Sequence, residues 1–167
     1  MNKTDKKQFT DEVYLLGQAK EKKQSSLFVL ALKGALSLKE LEDILKNKRK
    51  IYNFGFVNAF KKYNVQNDDL YGDLDKVWNV SLSGKNSTAQ EAAVKKLALS
   101  STGAAVAATG SMAGAIVAAP LALFLGPLIG GGIVGYKIIK VQFKVRELWK
   151  AYKRNCVLYA ETYVSQL

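Results

Sequence analysis

A chain of 167 residues can bury one core and not two comfortable ones, so residues 1–167 are expected to form a single domain. Its formal charge of +11, from 25 Lys+Arg against 14 Asp+Glu, points to phosphate-bearing partners, either anionic lipid headgroups or nucleic acid. Histidine is absent and Cys156 is the only cysteine, which excludes histidine-dependent triads and an internal disulfide; the expectation is a non-enzymatic protein without catalytic residues, cofactor or metal ion.

Period-2 alternation and hairpin dipeptides are missing while 3.6-type spacing recurs, so the fold class is all-α, a compact helical bundle. The N-terminus, MNKTDKKQFTDEVY, is charged where a secretory signal needs an apolar stretch, so the protein is expected to start in the cytosol. A first helix near 9–23 places Phe9, Val13 and Leu16 on one face, with Lys20, Lys22 and Lys23 beside the negative end of its dipole. The apolar run Leu27 to Leu32 is cut by Lys33 and Gly34, far short of the roughly 20 residues of a span, and predicts a buried core helix. Ser37 and Glu40 have capping-box spacing for a helix over 38–63, which carries Leu41, Ile44, Leu45 and Tyr52, the basic patch Lys46, Lys48, Arg49 and Lys50, and Gly55 as a point of bending.

The stretch 64–69 (NVQNDD) predicts a loop and N-cap before a short helix with Leu70, Leu74, Val77 and Trp78, and 81–86 (SLSGKN) predicts a linker. The acidic cluster Asp68, Asp69, Asp73 and Asp75 lacks the glycine and terminal glutamate of a calcium loop and fits helix-start electrostatics. Thr88 and Glu91 form a second capping box, after which nothing is expected to stop a helix before Pro120. From about 133 to 164 a long helix sets Ile138, Val141, Val145, Leu148 and Tyr152 on one face and Lys137, Lys140, Lys144, Glu147 and Lys150 on another.

The distribution of charge organises the chain. Residues 1–96 hold 18 basic and 12 acidic groups, residues 137–167 hold 7 and 2, and the 40 residues from Leu97 to Tyr136 hold none. So long an uncharged stretch predicts a hydrophobic helical hairpin within 88–140, turning at Pro120 and Pro127, between an amphipathic helical part (1–85) and a basic amphipathic helix (137–167). Its first arm, 97–118, has eight Ala, three Gly and five Ser or Thr, so it partitions only marginally into lipid by itself and needs a partner helix. Gly103, Ala107, Gly110, Gly114 and Ala118 supply a small-residue face for one, and Gly126, Gly130, Gly131 and Gly135 a matching groove; GxxxG spacing lets helix backbones approach closely in lipid.

In outline this Ala/Gly-rich pair resembles the hydrophobic hairpin of pore-forming colicins, held inside a shell of amphipathic helices. The resemblance covers roughly 40 residues, is one of pattern rather than motif, and implies a hairpin that leaves a folded shell for a bilayer.

The basic and aromatic residues beside the hairpin are the expected membrane-surface contacts: Lys95, Lys96, Tyr136, Lys137, Lys140, Lys144, Arg146, Trp149, Lys150, Lys153 and Arg154. Aromatic and basic side chains of this helix could equally stack on single-stranded nucleic acid, but adjacency to the hairpin favours lipid. Gly130, Gly132 and Gly135 match G-x-G-x-x-G without the strand and βαβ unit that a dinucleotide site needs. The expected function is therefore membrane-active, pore-forming or permeabilising, of toxin, effector or defence type. Its expected partners are an anionic bilayer and further copies of the chain, with location on the cytoplasmic side of a membrane. The alternatives are an anchored adaptor that binds a protein partner through residues 1–85, and a soluble bundle with the hairpin as its core.

Overall fold

The computed structural model describes residues 1–18, 38–103, 121–125 and 135–167. Among these the fold is all-α, with no strand: α1 (Lys3–Gln18), α2 (Leu38–Lys62), α3 (Leu70–Leu82), α4 (Ser87–Ser101), the short α5 (Leu121–Leu125) and the long α6 (Gly135–Ser165). α1 starts earlier than its apolar spacing predicts because Asn2 accepts the Asp5 N–H through its side chain at 2.8 Å and caps the free donors there. The predicted Lys20, Lys22 and Lys23 turn, the run 27–32 and Ser37 of the predicted capping box lie outside the described residues.

α2 ends in a Schellman motif. Asn64 takes a left-handed φ of 53°, its N–H bonds Lys61 O at 3.1 Å, and the Val65 N–H bonds Phe60 O at 2.8 Å. Gly55, expected as a bend, lies inside an unbroken helix and gives Leu16 a seat: a Cβ there would lie 3.4 Å from a Leu16 methyl. Ser81 and Leu82, assigned to the linker by sequence, close α3 with buried side chains, so the linker is 83–86. The cap of α4 is Asn86, whose side chain accepts the Ala89 N–H at 2.9 Å, and not Thr88, which already lies within the helix.

α6 is the spine. α2 runs parallel to it, with Tyr52 against Trp149 and Tyr152 (5.7 and 5.8 Å between ring centroids) and Phe60 against Tyr163 (5.7 Å). α3 runs antiparallel, since Trp78 meets Tyr152 near its end while Asp73 bonds Tyr159 near its start. α1 closes on α2 in the opposite direction, with Phe9 edge-on to Phe60 at 5.1 Å and Leu16 over Gly55. The edge-to-face pairs among these, Phe9–Phe60, Tyr52–Trp149, Tyr52–Tyr152 and Trp78–Tyr152, add about 0.5–1.5 kcal/mol each beyond their area burial.

Two apolar clusters result: an aromatic one shared by α1, α2, α3, α4 and the C-terminal part of α6, and an aliphatic one around Leu41, Leu45, Leu82, Leu121, Leu125, Val141, Val145 and Leu148. Buried polar groups fix the register between helices. Tyr159 and Asn67 both bond the Asp73 carboxylate, and Asn155 donates to Ser81 Oγ at 3.0 Å and Gln90 Oε1 at 3.1 Å. Asp73 is thus a buried tie between α3 and α6 rather than a helix-start charge alone. Cys156 is fully enclosed, and burial pushes its thiol well above the ordinary range, which leaves it inert.

Candidate functional site

The uncharged stretch from Leu97 to Tyr136 is fastened to the folded body at three places. At its start, Leu97 and Ala98 of α4 are buried in the aromatic cluster. In its middle, Leu121 and Leu125 of α5 are buried in the aliphatic cluster against α2, α3 and α6. The Lys144 ammonium donates to Phe124 O at 3.2 Å and sits 5.8 Å from the Phe124 ring centre, covering the exposed carbonyl end of α5. At its end, Gly135 begins α6.

The first arm is not one helix from Thr88 to Pro120. α4 stops at Ser101, and the sequence SSTG is the reason. Ser100 and Ser101 hydroxyls both donate to Leu97 O (2.8 and 3.0 Å), and Thr102 Oγ1 donates to Leu99 O at 2.8 Å, so side chains occupy carbonyls at the helix end. Gly103 then turns left-handed at φ +73° and its N–H bonds Ser100 O at 3.2 Å. Gly103 therefore terminates α4.

Ala107, Gly110, Gly114, Ala118, Pro120, Gly126, Pro127, Gly130 and Gly131 lie outside the described residues, and Gly135 is the first residue of α6. Among the described residues no helix is long and apolar enough to cross a membrane, and no group of three potential ligands could hold a metal ion.

The predicted membrane-surface residues divide. Lys140, Lys144, Arg146 and Lys150 are exposed on α6 around Phe143, itself 64% exposed, with Glu147 on the same helix 3.5 Å from Lys150. Lys95 is exposed and Lys96 half-buried on α4; Tyr136 and Lys137 fall in the first turn of α6. Trp149 does not belong to this surface. It is 5% exposed, wedged against Tyr52 and Tyr152, with the Lys48 ammonium over its ring at 4.8 Å. Lys153 and Arg154 are turned toward the protein: Lys153 bonds Gly17 O at 2.9 Å, closing α1 on α6, and Arg154 reaches Gln90 Oε1 at 3.4 Å. Both line an open groove of about 620 Å³, where Glu91 and Glu161 offset two of the three cations Lys150, Lys153 and Arg154.

Two parts of the site escaped sequence reasoning. The α5 docking contact needs knowledge of which apolar residues meet, although LALFL is the most strongly apolar piece of the segment and so the piece with most to gain from burial. The helix stop at SSTG was legible, since three hydroxyl residues followed by glycine make a C-terminal signature. The chain matches no protein-family model, no curated protein and no solved structure, so its function must be argued from its own residues.

Proposed function

We propose that the protein is a non-enzymatic, membrane-active helical protein: its basic body docks on an anionic bilayer and its uncharged Gly/Ala-rich segment enters the lipid and self-associates through small-residue faces. One observation carries the reading. In a chain of charge +11, 40 consecutive residues carry no charge, and a helix of only five residues ties their middle to the body. The cationic α6 face around Phe143 lies beside that tie, since Lys144 holds both. The proposed location is the cytoplasmic side of a membrane, with the segment held on the body until lipid is met.

Length constrains how far the segment goes. Residues 104–134 number 31, about 46 Å of helix, whereas two crossings of a hydrocarbon core about 30 Å thick need about 40 residues. With α4 and α6 intact the segment enters as a shallow, re-entrant hairpin. A full double crossing requires Leu97 and Ala98 to leave the aromatic core, at roughly 2–4 kcal/mol for the buried leucine and its neighbour. In either case α5 must first undock.

The test is dye release from anionic and neutral vesicles by the purified protein, with flotation in parallel. Release that depends on anionic lipid, and is lost in Gly110→Leu/Gly114→Leu together with detergent-resistant crosslinks, is the expected result. Flotation without release supports an anchored adaptor instead. The burial of Leu121 and Leu125 favours a second reading, a soluble bundle whose core includes the segment; absence of both flotation and release selects it.

A further inference from the structure

We infer that the outer face of α2 is the surface on which the protein first settles on an anionic bilayer, with Ile51 and Phe54 as its apolar anchors and Lys46, Lys50 and Lys61 as its headgroup contacts. The inference rests on the membrane reading above and adds a face remote in sequence from the uncharged segment. Asn47, Lys50, Ile51, Phe54, Asn58 and Lys61 recur at three- and four-residue steps, so they share one side of the helix. All six are exposed, Ile51 by 62% and Phe54 by 61%, while the opposite side of α2 is packed against α1 and α6.

Charge selects the occupant. From Ile44 to Lys62 the helix carries six basic residues and no acidic one. Arg49 and Lys62 are engaged by Asp75 at 3.5 Å and Glu12 at 2.6 Å, whereas Lys46, Lys50 and Lys61 make no ion pair among the described residues. Glu40 and Asp43 in the first turns of α2, and Asp11 on α1, bring exposed carboxylates to the ends and edges of the face. On α1, Leu15 is 65% exposed; it stands one turn from Glu12, which pairs with Lys62, and beside Leu16, which sits on Gly55. It therefore widens the apolar strip along the α1 edge. Large apolar side chains between lysines whose stems reach along them suit the boundary between acyl chains and anionic headgroups, where each lysine adds attraction and each apolar side chain leaves water.

Because the native thiol of Cys156 is fully buried, a single introduced cysteine can be labelled in the intact protein. An environment-sensitive fluorophore at Asn58→Cys is expected to shift to the blue on vesicles of phosphatidylglycerol and not of phosphatidylcholine, while the same label at exposed Ala92→Cys on α4 shifts little. Replacing Lys46, Lys50 and Lys61 by glutamine should weaken vesicle binding about a hundredfold. Ile51→Ser/Phe54→Ser should weaken it about tenfold or more. All five substitutions are at exposed positions, and unchanged circular dichroism confirms folding. If the protein floats and releases dye but the label at 58 does not respond, this face is wrong and the membrane reading stands. If the protein neither floats nor releases dye, both fall. A shift that grows with protein concentration without vesicles, or that duplex DNA produces alone, assigns the face to a second copy or to nucleic acid and overturns the inference.

Discussion

Leu125→Ala separates a docked segment from an integral core. Leu125 is fully buried among Leu41, Leu45, Leu82, Val141, Val145 and Leu148, so truncation costs about 2–5 kcal/mol, with about 3 kcal/mol a reasonable centre. If α5 opens locally at small cost, its opening equilibrium rises roughly a hundredfold, while the unfolding of the whole body, which then starts from the open form, loses no more than that small opening cost. Trypsin has no target between Lys96 and Lys137, so chymotrypsin cleavage at Phe124 is the assay, read in the regime where cleavage follows the open population. Faster cleavage with a nearly unchanged urea midpoint, and faster dye release from anionic vesicles, are expected. A midpoint shifted by the full amount with no gain in cleavage would refute the argument, because α5 would then open only when everything does.

Burial raises the phenol pKa values of Tyr52, Tyr152 and Tyr159 above the ordinary 10.0 and the Cys156 thiol above 9.0. These groups keep their protons folded and lose them unfolded, so stability is full below about pH 9 and falls as pH rises, by up to about 5 kcal/mol per pH unit above pH 10. Urea titrations at pH 8, 9.5 and 10.5 check this; equal midpoints would mean the phenols ionise inside the fold. The Lys62 hydrogen bond lowers the Glu12 carboxyl below 4.5, so its contribution to holding α1 on α2 is present above that pH and lost as pH falls through the folded value. The stability gap between parent and Glu12→Gln should accordingly be constant from pH 5 to 9 and close in acid. Gly103→Ala should cost about 1 kcal/mol in thermal denaturation from backbone strain alone, since nothing lies within 4 Å of its Cβ position, and Gly103→Asn should cost less because asparagine tolerates a left-handed turn.

The helices with strong apolar periods were legible. α2 ends within one residue of its expected limit and α6 within two, and Val141, Val145, Leu148 and Tyr152 are buried as their spacing predicts. What failed was competition between signals. Thr88 and Glu91 have capping-box spacing, but Asn86, in the predicted linker, accepts the Ala89 N–H at the true boundary and leaves Thr88 a helical residue. Trp149 lies in a basic run and so read as interfacial, yet it follows Leu148 on the buried side of α6, and only the placement of Tyr52 shows what fills the space around it. Lys153 and Arg154 misled for a related reason: a cation near a membrane segment and a cation tying two helices look alike until the acceptor, Gly17 O or Gln90 Oε1, is located. The α5 contact joins residues about 80 positions apart, Leu41 and Leu121, and no local pattern encodes it.

The anchorage of the uncharged segment at both ends, by Gly103 after α4 and by Gly135 at the head of α6, has a topological consequence. If the segment enters lipid, a chain whose two exits belong to one folded body can pass through the bilayer only an even number of times: zero with both anchors intact, and two only when Leu97 and Ala98 leave the aromatic core. The body then stays on the side from which it arrived, and a cell would need no machinery to carry charged helices across the lipid. A protease confined to that side would retain access to every lysine in the molecule, and one on the far side would meet at most the uncharged bend.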